Sequence, residues 1–148
     1  MATARIAISD AAEVRALIDD WVDAVRAGDI EAIMACYRPD IVAFDAAAQL
    51  RFEGKDAYRK HWESCLAMWP DQGIFEVRDL RVEARRDLAF GHYLSRCGGT
   101  APDGTVKAAW TRGTVCCVKA GGRWQVAHEH FSAPFDMASG KALFDLEP

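Results

Sequence analysis

The chain has 148 residues, 51% of them apolar, which suffices for one domain, residues 1–148, that buries a core without cross-links. Its formal net charge of −4, with Lys and Arg scattered, argues against nucleic acid or an anionic membrane as the main partner and leaves a small hydrophobic or anionic molecule open. No run approaches a membrane span and the N-terminus lacks the apolar stretch of a secretory leader, so a cytoplasmic protein is expected. Five cysteines, Cys36, Cys65, Cys97, Cys116 and Cys117, are an odd number without a C-x-x-C spacing. They read as buried thiols of a reducing compartment.

Asp10 with Glu13 three residues on resembles a capping box, and Val14, Leu17, Ile18, Trp21, Val22 and Val25 then recur at helical spacing up to Gly28. Arg15, Asp19, Asp20, Asp23 and Arg26 form the polar face, and Gly28 suits the helix end. Asp29 caps a short second helix with Ile30, Ile33, Met34 and Tyr37 inward, closed by Pro39. Ile41 to Asp45 reads as a strand with Ile41, Ala43 and Asp45 on one face and Val42 and Phe44 on the other, which makes Asp45 the odd polar residue of its face.

Residues 49–53 read as a short partner strand before Gly54. From Lys55 to Trp69, the residues Tyr58, Trp62, Cys65, Leu66 and Trp69 follow a helical period, with Arg59, Lys60 and Glu63 opposite and Pro70 closing the element. Strands then succeed one another over 74–84, over 88–96 and from Val106 onward, separated by Arg-Arg-Asp and Pro-Asp-Gly turns. Helices followed by an antiparallel sheet give the α+β class. The tail, residues 135–148, carries Phe135, Met137, Leu143, Phe144 and Leu146 without a period. It is expected as a loosely packed terminus, or as a cover over a pocket mouth or a second subunit.

The most informative stretch is Trp110 to Pro134, two β-rich runs joined at Gly121-Gly122. Strand alternation puts Trp110, Arg112, Thr114 and Cys116 on one face of the first run, and Trp124, Val126, His128 and His130 on one face of the second. Aromatic rings mixed with one Arg and two His read as a pocket wall, which His92 joins from the preceding strand. The His128–His130 pair lacks a third ligand at a clear spacing, so these side chains read as imidazoles rather than a metal site, and neither metal nor cofactor is expected.

Ala-Gly-Asp-Ile-Glu-Ala-Ile ending at Ile33, the run from Tyr37 to Asp45, Gly54-Lys-Asp-Ala, and Arg112-Gly-Thr through Gly122 to Ser132 stand in a characteristic order. In these stretches, and in element order from about Ala11 to Pro134, the chain resembles the nuclear transport factor 2-like superfamily, within it the SnoaL-like and ketosteroid-isomerase-like group. The resemblance implies a cone, a curved antiparallel sheet wrapped around N-terminal helices as in a cystatin-like roll, with an apolar cavity. It also implies that homodimers are common, here through the outer sheet face.

In the steroid isomerases the catalytic aspartate falls on Asp45. Their oxyanion-hole tyrosine falls on Trp21 and their protonated aspartate at or near Thr114, so neither strong donor is reproduced. Asp45 is therefore expected either as a general base or as an Asx-turn residue at a strand end. In the first case His128 or His130 acts as acid or orienter, Arg112 anchors an anion, and Trp21, Tyr37, Tyr58, Trp62, His92, Trp110 and Thr114 line the ligand site. The function expected is a cofactor-free isomerase, dehydratase or cyclase. The rival expectation is a non-catalytic binding or oligomerisation module of the same fold.

Overall fold

The computed structural model describes residues 9–71 and 73–148; the N-terminal segment read above for a leader, and Gln72 of the turn before Gly73, lie outside them. Helix α1 (Asp10–Ala27) buries Val14, Ile18, Trp21, Val22 and Val25, as the 3.6-residue period requires. Its cap is Ser9 rather than Asp10: Ser9 Oγ accepts from the Ala12 N–H at 3.2 Å. Glu13, free of a capping role, accepts from Lys119 Nζ at 3.0 Å and Trp124 Nε1 at 2.9 Å, which ties the helix to the sheet. Gly28, at φ 65°, takes the left-handed turn that ends α1.

Asp29 caps α2 (Ile30–Ala35), its Oδ1 accepting from the Ala32 N–H at 3.0 Å. This helix is shorter than expected. Tyr37 opens strand β1 (Tyr37–Phe44), and Pro39 sits inside that strand, where the register shifts between Tyr37 and Val42 and a missing N–H costs no ladder bond. Beyond it come β2 (Phe52–Glu53), α3 (Lys55–Ala67), β3 (Gly73–Arg85), β4 (Leu88–Thr100), β5 (Val106–Ala120) and β6 (Arg123–Ser132).

The sheet runs β2-β1-β6-β5-β4-β3 and is antiparallel except for the parallel pair of β1 and β6. It is the expected α+β cone, a curved open sheet closed over by the helices. Inside lie Trp21, Tyr37, Ile41, Ala43, Tyr58, Trp62, Phe75, Tyr93, Val115 and Phe131.

Two local features decide what faces inward. Cys116 pairs with His128 but Cys117 pairs with Val126, so Ala127 is an extra residue, a β-bulge that inverts the alternation of β6. Trp124 and Val126 are inside before the bulge; Glu129 and Phe131 are inside after it. Gly113 occupies the inward position opposite Phe131 because the Tyr93 ring fills the space above it, where an added methyl would overlap that ring. Gly113→Ala is expected to lower stability by about 1–3 kcal/mol through this overpacking, read as a lower urea midpoint at unchanged slope.

The tail folds back instead of trailing away. Phe135 bridges Ala142, and Trp110 Nε1 donates to Glu147 Oε2 at 3.1 Å, which brings the chain end to the outer face of β5. Phe135, Met137, Phe144 and Leu146 stay exposed.

Candidate functional site

Asp45 directly follows β1 and continues its inner face after Ile41 and Ala43, both fully buried. Its two oxygens have different partners. Oδ1 accepts from the Ala47 N–H at 3.1 Å, the Asx turn foreseen as one alternative, while Oδ2 lies 3.1 Å from His61 Nε2. Turn and imidazole contact therefore coexist in one residue, and the turn fixes the carboxylate that faces the imidazole.

His61 comes from α3, three residues after Tyr58 and four before Cys65, so the three side chains share a face. The imidazole stacks on Phe52 at 4.3 Å between centroids and lies within 12° of the Tyr58 ring plane. His61 is 7% exposed and Asp45 19%, so the carboxylate is the more accessible member of the pair. Cys65 Sγ lies 3.6 Å from the same Nε2.

Cys65 also lines a cleft of about 560 Å³ between the end of α1, α3 and the first residues of β3. Its walls include Trp62, Leu66, Trp69, Phe75 and Cys97, with Arg26 and Asp71 contributing charge. Trp69 lies over Gly99, where a methyl would overlap its ring. Arg26 Nε donates to the Phe75 carbonyl at 2.7 Å, which pins the guanidinium beside the cleft. Burial pushes the Cys65 thiol up to about 11, and burial likewise raises Cys97, in each case with a further push from the Asp45 charge. Both thiols are therefore protonated at neutral pH and are poor nucleophiles.

Deeper in the cone lies a second carboxyl group. Glu129 Oε1 accepts from Tyr37 Oη at 2.8 Å and from Tyr58 Oη, and Tyr37 Oη in turn accepts from Trp21 Nε1 at 2.8 Å. Burial pushes Glu129 up to about 7 against the opposing hydrogen bonds of the tyrosines, and burial with the Glu129 charge holds both phenols well above 10, where they remain donors. Trp62 Nε1 is sealed without a hydrogen-bond partner among the described residues, its ring edge-on to Trp21 and Tyr58.

The structure thus brings together five of the residues singled out in the sequence: Asp45, Trp21, Tyr37, Tyr58 and Trp62. It places the others elsewhere. Arg112, Thr114 and Cys116 do pair with Ser132, His130 and His128, so the expected hairpin face exists, but it is the outer face of the sheet. There His128 Nδ1 contacts the Val42 carbonyl at 2.6 Å and Phe44 packs edge-on against His128 and His130. Arg112 Nε donates to Ser132 Oγ at 3.1 Å, and His92 pairs with the exposed Thr114. Trp110 takes the Arg78 guanidinium over its ring at 5.1 Å. None of these side chains shares the interior with Asp45; the bulge at Ala127 and the space taken by Tyr93 are the physical reasons.

The partners that replace them, His61 and Glu129, were not singled out. His61 had a signal, its i+3 spacing from Tyr58. Glu129 had none, because strict alternation from Trp124 places it outside. Among the described residues no cluster of His, Cys, Asp and Glu is arranged to hold a metal ion.

The SnoaL-like domain family matches residues 14–136. The chain belongs to that family. This SnoaL-like chain is similar over 96% of its length to the whole of an NTF2-like protein of unknown function from Pseudomonas putida, at 50% identity and a TM-score of 0.86. It also has the fold of a ketosteroid isomerase-like protein from Erwinia carotovora atroseptica, with 23% identity, 84% of this chain and 95% of the other covered, and a TM-score of 0.70. The CaMKII hub of S. rosetta matches at 24% identity over 86% of this chain and 98% of the hub, with a TM-score of 0.73. No curated protein matches the SnoaL-like sequence. Among its described residues no helix is long and apolar enough to cross a membrane.

Proposed function

We propose that this SnoaL-like protein binds a small, largely apolar molecule in the cleft beside α3 and moves a proton on it with the Asp45–His61 pair, as a cofactor-free isomerase, dehydratase or cyclase. The observation that carries this reading is the 3.1 Å contact between Asp45 Oδ2 and His61 Nε2, a pair that lies one side chain behind the cleft wall, with Cys65 of that wall 3.6 Å from His61 Nε2. Asp45 is the base because it is the more exposed member and its carboxylate keeps lone pairs beyond those used by Ala47 and His61. His61, wedged against Phe52 and Tyr58, orients the carboxylate and holds the second proton position. The test is solvent deuterium exchange into enolisable cyclic ketones and β-hydroxy ketones, comparing wild type with Asp45→Asn and His61→Gln. Exchange that depends on both residues supports the reading; ketones that bind without any exchange favour the non-catalytic module.

The outer sheet face supports a second element of the reading, a homodimer. Phe44, at 36%, and Phe90, at 46%, stand exposed there, too apolar for a fully solvated surface. The likeness to a CaMKII hub adds a precedent for assembly in this fold. Sedimentation equilibrium is expected to give a dimer for wild type and a monomer for Phe90→Glu; a monomeric wild type ends this part of the proposal.

A further inference from the structure

Each of the two inward carboxyl groups takes its partner from one face of α3. Tyr58 and His61, three residues apart, reach Glu129 and Asp45 respectively. The carboxyl groups are themselves neighbours: Glu129 pairs with Ala43 across the parallel β1–β6 ladder, and Asp45 is the next inward residue after Ala43. Glu129 is also held from three elements at once, from β1 by Tyr37, from α1 by Trp21 through Tyr37, and from α3 by Tyr58. So many tethers on a buried acid exceed what filling the core requires, since apolar side chains in place of the acid and its two phenols would fill the space without desolvating a carboxyl group.

We propose that Glu129 is a positioning residue for the Asp45–His61 pair: it fixes Tyr58, whose ring backs the His61 imidazole, and once ionised it places a second negative charge beside the pair. This rests on the reading of Asp45 and His61 as the proton-transferring groups. The groups facing Glu129 are Tyr37 from β1, Tyr58 from α3, Tyr93 from β4, the thiols of Cys117 on β5 and of Cys36 after α2, and Asp45. Around Asp45 and His61 stand Phe52, Tyr58, Cys65 and Cys97. The electrostatic partner of Glu129 is therefore Asp45, a like charge that makes Glu129 harder to ionise, in the same direction as its burial.

Carbonyl-carbon NMR of glutamate-labelled protein, without any substrate, follows the Glu129 resonance as the one that titrates near neutral pH. Asp45→Asn is expected to lower its midpoint by about half a pH unit or more, the size of one like charge removed at short range in a protein medium. Tyr58→Phe, which keeps the ring but removes the donor, is expected to raise it. Glu129→Gln, which keeps an acceptor for both tyrosines but cannot ionise, is expected to remove an inflection near pH 7 from the pH–rate profile, where the Glu129 charge appears beside the pair. A Glu129 midpoint that ignores Asp45→Asn overturns the proposal, as does a folded Glu129→Gln protein whose pH–rate profile keeps the wild-type inflection near pH 7. A packing role alone lowers the stability of these variants and moves neither titration. The NMR arm stands even where no ketone is turned over, so failure of this coupling and failure of the catalytic reading are told apart.

Discussion

Asp45→Asn will cut turnover by about 10²–10⁴-fold, the usual contribution of a positioned general base, while leaving the melting temperature nearly unchanged. The geometry makes these two outcomes separable. An asparagine at this position keeps an oxygen for the Ala47 N–H, so the turn after β1 survives. Its amide can still face His61 Nε2, with the imidazole adopting the tautomer that accepts. What disappears is the basic lone pair, so kcat falls and ligand binding in the cleft, governed by Trp62, Leu66 and Trp69, is retained. His61→Gln removes the second proton position but not the base, and a smaller loss follows. Initial rates with the best substrate from the ketone panel, together with thermal melts of the same preparations, decide the matter. Full activity in Asp45→Asn would falsify the mechanism; equal loss of activity and of fold would move Asp45 into the structural class.

How legible this site was in the sequence depends on how local its causes are. The inner face of β1 could be read directly, because Ile41, Ala43 and Asp45 alternate without interruption up to the strand end, and all three point inward in the fold. The helical faces were equally accessible, and Trp21, Tyr58 and Trp62 arrive in the core as their spacing demands. The wall built from β5 and β6 was not. Period-2 reasoning holds only while the ladder is regular, and the bulge at Ala127 reverses which of His128, Glu129 and His130 faces inward. On β5 the error has another origin: the inward position carries Gly113, which leaves no mark on an aromatic or charge pattern because its role is to make room for Tyr93. The bulky neighbours Trp110 and Arg112 drew the reading to the wrong face. The N-terminal cap slipped by one residue for a simpler reason, since Ser9 and Asp10 are both good caps and only the backbone turn chooses between them.

Stability will fall as pH rises from about 4.5 to about 7, and Glu129→Gln will abolish that slope. The sign follows from proton counting. Glu129 carries its proton up to about 7 in the fold, whereas in the unfolded chain it loses it near the ordinary value of 4.5. Between those values the native state binds more protons than the unfolded state, so each pH unit removes stability, by a total of about 3 kcal/mol across the window. Above pH 7 both states are ionised at this residue and its contribution levels off. The other resolved carboxylates do not mask the effect: Glu31, Asp40, Asp103 and Asp136 are held below their ordinary values by an arginine or by turn hydrogen bonds, so their stabilisation is lost only on the acid side of the window. Glutamine is the informative replacement because it still accepts from Tyr37 and Tyr58 yet cannot ionise, whereas Glu129→Leu strands two buried hydroxyls and destabilises at every pH. Urea midpoints for wild type and Glu129→Gln between pH 5 and 8 give the difference directly, with every other titrating group cancelling. A parallel pair of curves would mean that the Glu129 carboxylate is as well solvated in the fold as in the unfolded chain, which the network of Trp21, Tyr37 and Tyr58 around it does not allow.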